Sequence, residues 1–159
     1  MNEDFEIPIL LVNEKIRMRP LTIEDASKDY DAIMSSIDHL KGVFGNNWPP
    51  NDLTFEEDIL SLKTHQRDME NRVTFTYTVL NLDESKCLGC VYIYPSHIPS
   101  FDAVVFLWVR KSEYENGLDD FLYSTVKKWL KERWPFTNVA FPGREISWEK
   151  WNKSFRFFR

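Results

Sequence analysis

Between Val104 and Trp134 the apolar pattern changes period once. Val104, Val105, Phe106, Leu107, Trp108 and Val109 are all apolar, so a strand here would be covered on both faces, as in the middle of a sheet. From Leu118 the apolar residues Leu118, Phe121, Leu122, Val126, Trp129 and Leu130 return at helical spacing, which predicts an amphipathic helix. Asp119 and Asp120 at its start and Lys127, Lys128, Lys131 and Arg133 toward its end suit the helix dipole. The polar loop between strand and helix directs unpaired backbone N–H groups outward, which can seat a phosphate or another anion. The same unit also serves simply as packing, and both readings stay open at this level.

The rest of the chain supplies the elements around that junction. Ile7–Val12 and Lys15–Arg19 read as extended segments flanking Asn13–Glu14. Thr22 and Asp25 open a helix whose apolar face runs through Ala26, Tyr30, Ile33, Met34, Ile37 and Leu40. Gly42, Gly45 and Trp48-Pro49-Pro50 then break it. Thr54 and Glu57 form a second capping pair, followed by a partial stripe of Phe55, Ile59, Leu62 and Met69. His65 falls off that stripe and reads as solvated. Val73–Leu80 and Cys87–Tyr94 read as a hairpin turned by Asp83, Glu84 and Ser85, with Tyr92 and Tyr94 on one face and Val91 and Ile93 on the other. Trp134-Pro135 stops the long helix, and Phe136–Phe141 reads as a further strand.

Composition narrows the classes. A hydrophobic fraction of 43% and an aromatic fraction of 15% in 159 residues predict one ordered domain over residues 1–159. The acidic start MNEDFEIP carries no secretory signal, and no apolar run approaches membrane length, so the expected location is cytoplasmic. A net charge of -5 points away from nucleic acid and toward a cationic or neutral substrate. Cys87 and Cys90 form a CxxC, but they lie in a strand pattern. At that spacing their side chains are expected on opposite faces, and His39, His65 and His97 are scattered. Neither a redox pair nor a metal site is expected.

The junction resembles one in the GNAT superfamily of N-acetyltransferases, where the pattern V-x-P-x-x-[QR]-x-x-G-x-[GA] ends a strand and precedes a helix. Val109 and Gly117 match it by type. Lys111 stands at the Pro position, Tyr114 at the Gln/Arg position and Asp119 at the final small position. The order of elements over roughly residues 15–141 is also similar to that family's. The resemblance implies an α/β (α+β) fold with a mixed, mostly antiparallel sheet flanked by helices, here with a shortened C-terminus.

It further implies an acyl-CoA-dependent N-acetyltransferase in which an amine attacks acetyl-CoA directly. The co-substrate would contact Leu107, Trp108, Val109, Tyr114, Glu115, Asn116, Gly117 and Leu118, with no metal. The Val109 amide would bond the thioester carbonyl, and the amides from Tyr114 to Leu118 would hold the pyrophosphate. Tyr92 and Tyr94 are the candidates to touch the amine, which would be a small molecule or a peptide.

Departures from the pattern set a second expectation. Glu113, Glu115, Asp119 and Asp120 crowd the loop, and Phe158 stands where the family often has a tyrosine that protonates the thiolate. These favour a non-catalytic, GNAT-shaped protein that binds a ligand or partner. The aromatic tail of Phe155, Phe157 and Phe158 would then dock on a second copy. A different α+β ligand-binding domain is a third reading.

Overall fold

The computed structural model describes residues 1–156, with side chains through Ser154. Six strands form one sheet in sequence order: β1 (Leu11–Val12), β2 (Arg17–Pro20), β3 (Phe75–Leu80), β4 (Cys87–Pro95), β5 (Ala103–Val109) and β6 (Val139–Ala140). Neighbours are antiparallel except β5 and β6, which run parallel. A parallel pair needs a long crossover. That crossover contains α4 (Lys111–Glu115) and α5 (Leu118–Arg133). The fold is therefore the mixed, mostly antiparallel α/β arrangement that the sequence implied.

Each face of the sheet has its own core. Phe75, Tyr77, Val91, Ile93, Val105 and Leu107 pack against α5 through Leu122, Val126 and Trp129. On the other face Leu80, Cys90, Tyr92 and Trp108 pack with Ile33 and Leu62. Those two residues belong to α1 (Ala26–Met34) and α3 (Phe55–Glu70). β3 is buried at every position. Its threonines are satisfied by side chains: Thr76 Oγ1 bonds His65 Nδ1 of α3 at 3.1 Å, and Thr78 Oγ1 contacts Cys87 Sγ of β4 at 3.7 Å.

Several elements differ from the sequence reading. The first helix does not run to Leu40. It opens as a 3-10 turn, Ile23–Asp25, and breaks at Ser35 and Ser36 before α2 (Ile37–Leu40). Ser35 Oγ bonds back to the Ala32 carbonyl at 3.1 Å, and Ser36 Oγ accepts from the Lys111 amide at 2.9 Å. Hydroxyls that compete for backbone groups in this way end helices. The strand expected over Phe136–Phe141 is confined to Val139–Ala140. The amides of Thr137 and Asn138 donate instead to the Asp102 carboxylate, at 2.7 and 2.9 Å. Likewise β3 begins at Phe75, because the amides of Val73 and Thr74 both turn to the Asp68 carbonyl. The extended run from Ile7 pairs in the sheet at Leu11 and Val12 alone.

Cys87 and Cys90 share a face, contrary to their spacing. A register shift at Val79/Leu80 pairs Leu80 with Cys87, and this bulge turns both thiols into the α1–α3 core. Both are free and buried, and burial pushes the Cys87 thiol up to about 12. A thiol so protonated is a weak nucleophile. The short helix α6 (Trp148–Arg156) closes the described chain. Phe158 and the expected docking tail of Phe155, Phe157 and Phe158 lie outside the described side chains.

Candidate active site

β5 and β6 touch through two register pairs, Ala103 with Val139 and Val104 with Ala140. Beyond them the strands separate, because Pro142 and Gly143 turn the chain back toward Ile146. The result is a cleft of about 400 Å³ along the free edge of β5.

The direction of that edge follows from strand alternation. The Arg110 amide donates to Leu88 on the β4 side at 2.8 Å. Hydrogen-bonding direction alternates along a strand, so Trp108 and Phe106 also turn to β4, while Val105, Leu107 and Val109 turn to the cleft. Arg144 marks the same edge, since its Nη2 donates to the Leu107 carbonyl at 3.3 Å. The Val109 N–H thus points away from β4 toward the cleft, although the residue itself is fully buried.

The strand end is held rigidly. Buried Arg110 donates to the Cys87 carbonyl at 3.0 Å, to Asp31 at 3.1 Å and to Ser35 Oγ at 3.0 Å. With the Ser36–Lys111 bond, these contacts tie the end of β5 to the corner between α1 and α2. Trp148 covers the cleft. Its indole stacks on Phe106 at 6.2 Å and 9° and lies between Gly45 and Gly143, where an added Cβ would come within 2.7 Å of the ring.

The loop after Val109 is helical, and this changes its chemistry. The Tyr114 amide bonds the Arg110 carbonyl, Asn116 bonds Glu113, and Gly117 bonds Tyr114, at 3.0 to 3.1 Å. These amides, expected from the sequence to hold pyrophosphate, are already engaged within the turn. Leu118, Asp119 and Asp120 occupy the first turn of α5, where a helix cannot satisfy its own N–H groups. The cation beside them is Arg144, paired with Asp119 through two contacts of 2.7 Å.

The sequence-derived residues therefore divide. Leu107, Trp108, Val109 and Tyr114 line the cleft, whereas Glu115, Asn116 and Gly117 lie exposed at the end of α4 and in the turn before α5, and the Leu118 side chain is buried in the core. Tyr92 and Tyr94 line a second cavity, also about 400 Å³, over the α1–α3 face. Phe106 borders both cavities. Tyr92 accepts a bond from Trp108 Nε1 at 3.0 Å. Burial holds its phenol and that of Tyr94 above the ordinary value, so each keeps its proton at neutral pH.

The sequence reading missed His65, which is half-buried against Tyr92 at 5.6 Å with its basicity lowered by burial. It also passed over Asp29 and Asp58. Both carry a signal: Asp29 sits between Ala26 and Ile33, and Asp58 between Phe55 and Leu62, each at apolar spacing on its helix. Among the described residues no group of three or more His, Cys, Asp or Glu side chains could hold a metal ion, and no helix is long and apolar enough to cross a membrane.

A sheet whose parallel pair opens beside a strand–helix junction is the fold of the GNAT acetyltransferases, and solved structures of that class match it. The chain is similar to a ribosomal-protein-S5-alanine acetyltransferase from Vibrio fischeri, with 18% identity, TM-score 0.67, and 95% of this chain and 82% of that one covered. A putative ribosomal-protein-serine acetyltransferase from Vibrio cholerae gives 15% identity, TM-score 0.68, and 98% and 83% coverage. The microcin C7 self-immunity acetyltransferase MccE, solved with acetyl-CoA and AMP, gives 14% identity, TM-score 0.55, and 74% and 63% coverage. No protein-family model matches the sequence, and no curated protein matches it. What is shared at these identities is the fold.

Proposed function

We propose that this protein is an N-acetyltransferase that moves an acetyl group from acetyl-CoA to an amine. The observation that carries the reading is the free edge of β5, where the Leu107 and Val109 backbone groups face a cleft that meets a second, aromatic cavity at Phe106.

The residues present fit the co-substrate in one place and resist it in another. The Val109 N–H, turned to the cleft and without a partner in β4, would donate to a thioester oxygen as negative charge grows on it, once the buried strand edge admits the ligand. The Leu107 carbonyl is an acceptor for an amide of the pantetheine arm once Arg144 lets go of it. The diphosphate would be held by the Arg144 guanidinium and the first-turn amides of Leu118, Asp119 and Asp120. The Asp119 carboxylate opposes an anion there, and its pairing with Arg144 offsets that charge. When bound, acetyl-CoA supplies an activated acyl carbon. Tyr92 and Tyr94, which keep their protons, line the acceptor side, and Trp148 over Phe106 limits water access between the two cavities.

The test is release of CoA thiol from acetyl-CoA by the purified protein, with and without a panel of primary amines. Amine-dependent release at a rate above hydrolysis supports the reading. Acetyl-CoA binding without release under any amine would leave a binding protein.

A further inference from the structure

β1 is an outer strand of the sheet, at the end remote from the cleft. Between Glu6 and Glu14 the chain carries no charged residue, yet Ile9, Leu10 and Val12 are 72%, 49% and 49% exposed. Outer strands are ordinarily guarded by charged side chains or a covering element, because their unpaired N–H and C=O groups invite another strand. Here Pro8 guards the start of the segment and nothing guards the rest.

Which backbone groups are free follows from the register. The Asn13 amide donates to the Ile16 carbonyl at 3.1 Å, so Asn13 and Leu11 turn to β2, while Val12 and, by the same alternation, Leu10 turn outward. At the next outward position Pro8 has no N–H to offer, and its carbonyl already accepts from the Tyr77 hydroxyl at 2.6 Å.

A groove of about 580 Å³ runs beside this edge, between residues 10–14 and α5. Lys15 Nζ sits 4.4 Å over the Phe121 ring, and Phe5 lies 5.5 Å from Trp134. Helix α5 therefore runs opposite to β1, starting beside Glu14 and ending, at Arg133, beside the start of the segment. Glu14 and Arg133 are exposed, and among the described residues neither has an ion-pair partner. Opposite charges at opposite ends of one apolar edge are self-complementary, because a two-fold axis exchanges the ends.

We propose that β1 pairs with β1 of a second copy of this chain, antiparallel about a two-fold axis at Leu11, so that the two sheets become continuous. Leu10 of each copy then faces Val12 of the other, every outward N–H and C=O of these residues is paired, and their exposed side chains pack across the join. Glu14 falls opposite Pro8, where the ladder stops, at the end held by Arg133 of the second copy. The inference is independent of the transferase reading and leaves the cleft open.

Sedimentation velocity on the purified protein from about 1 to 100 μM is expected to show a monomer–dimer equilibrium. Val12→Pro removes an outward N–H that β2 does not use, so far-UV circular dichroism should be unchanged while the dimer weakens by at least about tenfold. Leu10→Lys places a charge on the edge and should act in the same direction without touching the backbone. Arg133→Glu should weaken the dimer roughly threefold, and adding Glu14→Arg to that chain should restore it, a recovery that a change in the fold alone does not give. A wild-type protein still monomeric at the top of the range overturns the proposal. So does a dimer that survives both Val12→Pro and Leu10→Lys, which must join elsewhere, and a double charge variant no tighter than Arg133→Glu overturns the two-fold register.

Discussion

Replacing Gly89 with alanine should disturb the site through the backbone of β5 itself. Gly89 faces Val109 across the β4–β5 ladder, and a Cβ added there would lie 2.2 Å from the Trp108 carbonyl oxygen and 3.1 Å from Val109 Cα. A contact of this kind must open by roughly 1 Å, and main-chain atoms cannot rotate away as a side chain can. The strand would have to shift against Arg110, whose bonds to Cys87, Asp31 and Ser35 hold it. The expected cost is toward the upper end for overpacking, about 2–3 kcal/mol, or a fall in Tm of roughly 4–12 °C for a chain of this size.

Gly117→Ala is the control. Its φ is +84° but nothing lies within 4 Å of the added carbon, so backbone strain alone applies, about 1 kcal/mol or roughly 2–4 °C. Thermal melts followed by circular dichroism compare the two, and titration with acetyl-CoA should show the larger loss in Gly89→Ala, because Val109 moves with the strand. A Gly89→Ala protein melting within about 1 °C of wild type would refute the close approach of β4 to β5 and the rigidity assigned to Val109.

Three further outcomes follow from charged groups. Arg144→Ala should weaken acetyl-CoA about tenfold by removing a charge-assisted contact while leaving acetyl-pantetheine, which lacks the diphosphate, no weaker; equal losses for both would show that Arg144 acts only on the fold. Asp29 has its acidity suppressed by burial and by Asp58, so its contribution to stability is full below the unfolded pKa and lost as pH rises through the folded one. Asp29→Asn should therefore gain on wild type in urea midpoint as pH rises from the unfolded value of about 4 toward neutrality, and parallel curves would contradict this. Asp25 is pushed up by burial but held below the ordinary range by Arg19 and the Thr22 amide, so its contribution is present above the unfolded pKa and lost as pH falls through the folded one. Asp25→Asn should cost about 2–3 kcal/mol at neutral pH and flatten the acid limb of the same curves.

The parts of this fold that were legible in the sequence are those where one physical requirement sets the pattern. Val104–Val109 is apolar throughout because β5 is covered on both faces, and Leu118–Leu130 repeats because α5 covers one of them. Thr54 and Glu57 close a reciprocal cap at α3, with bonds of 3.1 and 3.0 Å. Where two requirements compete, period misleads. A bulge reversed the facing of Cys87, and Ser35 and Ser36 ended a helix whose apolar spacing continued. The loop after Val109 read as open because its residues are polar, yet α4 engages its amides internally.

The site was half legible for the same reason. Backbone groups at Leu107 and Val109 follow from strand position, whereas Arg144 and Trp148 reach the cleft through a turn with no periodic signal. Asp29 and Asp58 sit on apolar stripes of separate helices, and only packing brings them together.

The central claim is that the free edge of β5 receives acetyl-CoA. It is tested most directly by following backbone amide resonances of isotope-labelled protein during titration with acetyl-CoA. The account expects the largest shifts at Leu107 and Val109, with smaller ones at Leu118, Asp119 and Asp120. Saturable binding that leaves Leu107 and Val109 unmoved, or no binding at millimolar ligand, would contradict it.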